Sequence, residues 1–301
     1  MKGNPSGAVL CLSLLLALPV VSPAQPAAPQ QQPPAPPPAA PAKPSVEPPK
    51  PSEPQTGENA LSLEIFYWLS RGHPDLRTGA TNLGPNPSDL SFPAKTKGAP
   101  GAVLSVPAGR ENSLRFSYFR ASGASNATAP QDLTVFSTAY NKGDYVESNY
   151  VLNNIKISYD YLSFPFPVKG SKFRLRTLWE AQYTSIKSTF NAPLKPTSDS
   201  AGNLIVNDTS GAKSFIYPSF GLGVGYVPSR RLRVEAKASG FLFPHRPTIW
   251  DAQGTINYRF RRVEVALGAR AFHFRTSPKN EQYFLGTLFG PYLGLRFLPF
   301  R

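Results

Sequence analysis

The stretch that decides the fold is Leu61-Ser62-Leu63-Glu64-Ile65-Phe66-Tyr67-Trp68-Leu69-Ser70. Its odd positions are all apolar or aromatic, and Ser62, Glu64 and Ser70 fall on the even ones. A period of two is the pattern of a β-strand, whose side chains point alternately to two faces.

Working outward, the same alternation recurs to the end of the chain in segments of about ten to fifteen residues. In 113–121, Leu114, Phe116 and Tyr118 alternate with Arg115, Ser117 and Phe119. In 150–161, Ile155, Ile157, Tyr159 and Tyr161 oppose Lys156, Ser158 and Asp160. In 172–186, Phe173, Leu175, Trp179 and Tyr183 oppose Arg174, Arg176, Glu180 and Gln182. In 231–242, Val234, Ala236 and Ala238 oppose Arg233, Glu235 and Lys237. In 249–261, Trp250, Ile256, Tyr258 and Phe260 oppose Asp251, Gln253, Asn257 and Arg259. In 262–274, Val263, Val265 and Leu267 oppose Glu264 and Arg270. In 283–297, Leu285, Phe289, Leu293, Leu295 and Phe297 oppose Gly286, Gly290, Gly294 and Arg296.

A soluble sandwich also alternates, so three further features decide. Charges sit well inside long segments on one face, while the other face is nearly free of them; that is the apolar-out, polar-in pattern of a membrane barrel. The segments match a tilted strand crossing a bilayer and exceed the five or six residues usual in soluble sheets. The connections alternate in length. Residues 72–100, 123–148 and 189–212 read as long loops, whereas Pro107–Asn112, Phe164–Ser171, Pro228–Arg230 and Arg261-Arg262 are short. The fold class is all-β: a single antiparallel transmembrane up-and-down β-barrel. Nine segments are clear, and a weaker one at Ala102–Val106 makes the count even at ten; eight strands is the rival.

The N-terminal part is a different regime. Residues 1–24 read as a signal peptide: Lys2, an apolar run from Ala8 to Val21, then Ser22-Pro23-Ala24. The single cysteine, Cys11, lies inside it, so the mature chain has no disulfide. Residues 25–55 hold 13 of the 34 prolines and read as a Pro-rich, extended periplasmic linker. At about 3.1 Å per residue it could reach roughly 90 Å, enough for contact with the cell wall. Residues 56–301 form the barrel.

The barrel segment holds 29 basic and 16 acidic residues, a net charge of +13. No nucleic-acid motif accompanies it, and a secreted barrel meets no nucleic acid. Bases in the connections, such as Arg77, Lys95, Lys97, Lys142, Lys195 and Arg246, are candidates for anionic lipopolysaccharide and outer-membrane lipids. The inward charges are expected to be Glu64, Arg115, Lys156, Asp160, Arg174, Arg176, Glu180, Arg233, Glu235, Lys237, Asp251, Arg259, Glu264, Arg270 and Arg296. A ten-strand lumen is narrow, and unpaired charge there is costly. These groups therefore make either a salt-bridged core, in a structural or surface-interaction protein, or a small anion-preferring pore.

Three histidines, His73, His245 and His273, fall near predicted outer strand ends, with Asp75, Asp144 and Asp251 near the same rim. His245, Asp251 and His273 are the candidates for a catalytic rim site acting on lipid A or peptides. No nucleophile motif accompanies them, and the spacing suits no known metal site or cofactor. Trp68 and Trp250, with Tyr67 and Tyr183, are candidates for an interfacial aromatic girdle.

From Ala60 to Arg301 the chain resembles bacterial outer-membrane β-barrel proteins. The resemblance rests on the signal, the alternation, and the last segment with Leu293, Leu295 and Phe297. It implies a place in the outer membrane and recognition of the C-terminal strand by the barrel-assembly machinery. Leu298-Pro299-Phe300-Arg301 follow Phe297, so Phe300 is the other candidate for the terminal aromatic. The family's uncharacterised members lend no activity.

Overall fold

The computed structural model describes residues 60–78, 89–90, 95–109, 112–129, 132–136, 138–164, 172–198, 204–242, 247–277 and 282–299. Residues 1–24, expected to be a signal peptide, residues 25–55, expected to be a linker, and His245 lie outside the described residues.

Ten strands make the wall. They are β1 Ser62–Trp68, β2 Ala99–Pro107, β3 Ser113–Thr128, β4 Tyr145–Phe164, β5 Phe173–Ser198, β6 Leu204–Tyr226, β7 Leu232–Phe241, β8 Thr248–Phe260, β9 Val263–Arg275 and β10 Gln282–Phe297. Each pairs antiparallel with the next. The ring closes where β10 pairs with β1, Leu63 opposite Phe297 and Trp68 opposite Tyr292. The line of β1 resumes after a break as Pro74–Thr78, which also pairs with β10, and an isolated bridge of Arg71 to Phe289 spans the gap. The result is a closed ten-strand up-and-down barrel; above the closed ring, Leu204–Ser219 of β6 pair with β5 alone, because β7 meets only Phe220–Tyr226. The expected strand at Ala102–Val106 is present and longer, and Pro107, which cannot donate to a ladder, ends it.

Alternation builds the two faces of this wall. Outward side chains include Leu63, Ile65, Phe116, Ile157, Trp179, Leu222, Ile256, Leu293 and Leu295, all well exposed. Their inward neighbours, such as Glu64, Ser158, Glu180, Asn257 and Arg296, are buried. An apolar outside around a polar inside is stable when hydrocarbon, not water, surrounds the barrel.

Strand lengths are unequal. A membrane-crossing strand needs about 9–11 residues. β7, β8 and β9 have 10, 13 and 13, whereas β4, β5 and β6 have 20, 26 and 23. The β3–β6 side therefore rises beyond the apolar band as a tall paired wall. This corrects the reading of 123–148 and 189–212 as long loops. Ser, Asn, Thr and Gly favour turns only where no ladder competes, and here Thr189 to Ala192 pair with Asn207 to Ser210.

Between β3 and β4 a small hairpin, Leu133–Val135 with Thr138–Tyr140, turns into the barrel mouth. Val135 and Tyr140 are buried.

Candidate functional site: the barrel interior and its rim

The interior is layered. At the end that carries the short turns, Arg296 on β10 reaches Glu64 on β1 at 2.8 Å and Glu264 on β9 at 3.1 Å. Arg233 on β7 shares Glu264 and lies 3.5 Å from Glu235, and Tyr292 donates its hydroxyl to Glu64. One step inward, Arg115 and Lys237 each approach Asp160 at 3.4 Å, and Ser158 donates to the same carboxylate. Above these, Arg270 grips Asp251 with two hydrogen bonds of 3.0 and 2.8 Å, and Lys156 joins Asp251 at 2.9 Å and Glu180 at 3.4 Å. All six inward acids thus have a base within 3.5 Å. Arg176 is buried, Arg174 is half-buried, and Arg259 is half-buried, its Nε donating to the carbonyl of Arg261 at the turn.

Pairing of this completeness answers the cost of burial. A buried charge without a partner costs several kcal/mol, and pairing with further hydrogen bonds roughly cancels that cost. Among the described residues, the cavities between these groups include one of about 50 Å³ beside Lys156, Asp160 and Arg270, and one of about 10 Å³ beside Glu64 and Arg296. Such volumes hold isolated waters, not a water column.

Arg270 is also held by rings. Its guanidinium lies 4.5 Å from the Phe119 ring, 5.3 Å from Trp68 and 5.7 Å from Phe66. Trp68 is fully buried here, which corrects its assignment to the girdle. Its even position puts it on the face of Glu64, inside the barrel. Tyr67, its odd neighbour, is the outward one, 46% exposed.

Beyond this aromatic collar the lining is largely apolar, with Thr184 and Ser188 among its polar exceptions. Leu152, Ile186, Ile249, Phe272, Phe274 and Leu288 are fully buried. The hairpin closes the layer from above. Phe136, at its tip, packs on Phe190 of β5 at 6.0 Å and on Phe284 of β10 at 6.2 Å, strands on opposite sides of the ring. Phe136 takes a left-handed backbone (φ 46°), which costs a non-glycine residue free energy and persists where packing enforces it. Thr209 donates to the Phe136 carbonyl, Tyr140 donates to the Phe190 carbonyl, and Lys195 of β5 pairs with Asp144 at 3.0 Å. The hairpin is thereby fastened to the tall wall. Burial, with the nearby Asp208 carboxylate, pushes the Tyr140 hydroxyl up to about 12 and keeps it a neutral donor.

The rim candidates are separated. Asp251 points inward into the Arg270 and Lys156 pair. His273 lies on the outward face, stacked on Trp250 at 5.5 Å with its Nδ1 2.8 Å from the Thr287 hydroxyl. The wall stands between them. The structure instead brings His73 Nδ1 within 2.9 Å of Asp75 Oδ1, without a hydrogen bond between the two atoms; both residues are about a quarter to a third exposed. Among the described residues, no group of three or more His, Cys, Asp or Glu is placed to hold a metal.

Comparison with solved structures follows this geometry. The outer membrane protease OmpT from Escherichia coli aligns over 79% of this chain and 96% of its own, with a TM-score of 0.55 and 10% sequence identity. The fold is that of a bacterial outer-membrane β-barrel. OprG from Pseudomonas aeruginosa (10% identity, 80% of this chain and 98% of its own, TM-score 0.31) and Ail of Yersinia pestis (8% identity, 79% and 99%, TM-score 0.29) also align. No protein-family model and no curated protein matches the sequence.

This outer-membrane barrel departs from a water-filled one in the long-strand half of its lumen, whose lining is largely apolar. The residues responsible, Phe136, Tyr140, Phe190 and Phe284, were not among the sequence candidates. An aromatic-bearing segment, Leu133-Thr134-Val135-Phe136, inside a supposedly polar loop was the available signal.

Proposed function

We propose that the protein is a non-conducting barrel of the outer membrane, with its short turns and N-terminal linker on the periplasmic side, that presents the tall β3–β6 wall at the cell surface as an interaction platform. The observation that carries this is the double filling of the lumen: a charge network with all six acids paired, and above it an apolar layer capped by Phe136. A lumen filled by its own side chains supports a structural role, and the exposed wall supports contact with lipopolysaccharide or another surface partner. The test is conductance of purified protein in a planar bilayer. The expected trace is flat. Steady anion-selective steps would replace this reading with the small-pore one, in which the excess of inward bases sets the preference.

A second reading, a rim enzyme, is favoured by the 2.9 Å contact of His73 with Asp75. Its test is the lipid A profile and peptide turnover of cells carrying His73→Ala, compared with cells carrying the unaltered chain. Identical profiles and turnover remove it.

A further inference from the structure

On the outward surface of β6–β10 lies an apolar groove of about 860 Å³. This volume is in the range of about 300–1,000 Å³ typical of small-molecule sites. Its floor is made of small residues: Ala236, Ala238, Gly254 and Ala269 are all exposed. Beside them Ile256 and Leu267 stand out from the wall, each 56% exposed, so the small side chains form a notch. A Cβ added at Gly254 would meet nothing within 4 Å. One end of the groove is Arg71 with Phe289, next to the break in β1 on the long-strand side. The other end is Val224, two residues before the end of β6 and its short turn. The groove thus runs from the outer edge of the apolar band deep into it, with one guanidinium at its outer end.

We propose that this groove holds an acyl chain of lipid A, whose phosphate pairs with Arg71. The inference rests on the outer-membrane reading and goes beyond it by assigning a site. Within the apolar band the surrounding medium is hydrocarbon, so what fills a notch there is a lipid chain or another protein. Two copies of the chain related by a twofold axis would set concavity against concavity and leave a void. A flexible chain fills a narrow groove without that cost. Arg71 supplies the charge complementarity, because a guanidinium binds phosphate through paired N–H donors and the outer leaflet carries its phosphates at the head of its acyl chains.

The experiment uses the full mature chain, folded and extracted in detergent, then exposed to bisphosphorylated lipid A, dephosphorylated lipid A or phosphatidylethanolamine. Bound lipid is counted by native mass spectrometry after detergent exchange. The wild-type barrel is expected to retain lipid A in preference to phosphatidylethanolamine. Gly254→Leu, which fills the notch, should lower retention at least tenfold, and Ala269→Leu should repeat this should the first variant fold poorly. Arg71→Gln should abolish the preference for the phosphorylated form while leaving chain binding. Unchanged retention in both notch variants overturns the site, as does equal retention of phosphatidylethanolamine by the wild type. A wild-type dimer that Gly254→Leu dissociates overturns it in favour of a second copy. A wild-type chain that is soluble without detergent overturns both the membrane reading and this one.

Discussion

Arg270 concentrates the physics of the interior in one residue. Its planar fork satisfies Asp251 with two bonds, and its flat faces suit the Phe119, Trp68 and Phe66 rings. Arg270→Met keeps much of the packing and removes the charge, leaving Asp251 with Lys156 as its remaining cation among those pairs. Breaking one side of a buried pair costs about 3–5 kcal/mol, and the urea midpoint of the barrel in lipid vesicles should fall accordingly. Arg270→Lys should recover little, since an ammonium cannot make the bidentate contact. Adding Asp251→Leu to Arg270→Met should restore part of the loss. Simple additivity of the two variants would show that they are not coupled. At this scale parity along the strands assigns the charges to one face, but it says nothing of their partners. Lys156 and Asp251 come from β4 and β8, 95 residues apart, and no local pattern joins them. Trp68 was misjudged because two cues conflicted. Nearness to a strand end suggested the girdle, while the even position it shares with Glu64 put it inside, and the pleat is the stronger constraint.

The elements were legible where hydrocarbon imposes a pattern and illegible where it does not. Within the apolar band one face of each strand must be apolar, so the alternation of β1, β4 and β10 is plain in the sequence. Above the band water bathes the outer face, the constraint lapses, and the upper halves of β5 and β6 resemble loop composition although they pair with each other. The inserted hairpin belongs to the same blind region. Its ring contacts make a prediction: Phe136→Ala should free the hairpin, so that a protease cuts within 133–140 much faster while the barrel keeps its heat-modifiable migration. Deletion of a fully buried Phe ring costs about 3–5 kcal/mol, and the half-buried Phe136 ring should cost less; unchanged cleavage would mean that the ring does not hold the hairpin. Acid should loosen the same element. The backbone N–H of Asn141, and then the Lys195 ammonium, hold the Asp144 carboxyl below its ordinary value. Because the folded value lies below the unfolded one, this support is complete above the unfolded carboxylate value of about 4 and is lost as pH falls through the folded value. Hairpin cleavage by an acid-stable protease should therefore accelerate below about pH 4, and Asp144→Asn should cleave fast at all pH values without that step. An identical acid step in the variant would assign the titration to another group.

At the scale of the whole molecule, the proposed non-conducting state rests on two barriers of different chemistry in series along one narrow lumen. The outer one is apolar, where Phe136 bridges β5 and β10. The inner one is ionic, from the Arg270 and Asp251 pair down to Arg296, and leaves cavities of about 50 and 10 Å³. Ions crossing a series of barriers are limited by the tightest of them. An apolar constriction resists ions because they must shed water without gaining a partner. A salt-bridged layer resists them because its charges already satisfy one another. Removing one seal should thus leave the barrel silent. In a planar bilayer the wild type, Phe136→Ala and Arg296→Met should all give flat traces, whereas a chain carrying Phe136→Ala together with Arg270→Met and Arg296→Met should show brief openings. Its reversal potential should show which ions the remaining inward charge favours. Steady current through Phe136→Ala alone would show that the ionic layer is not a seal, and with it the lumen would have to be read as a gated passage closed by the hairpin.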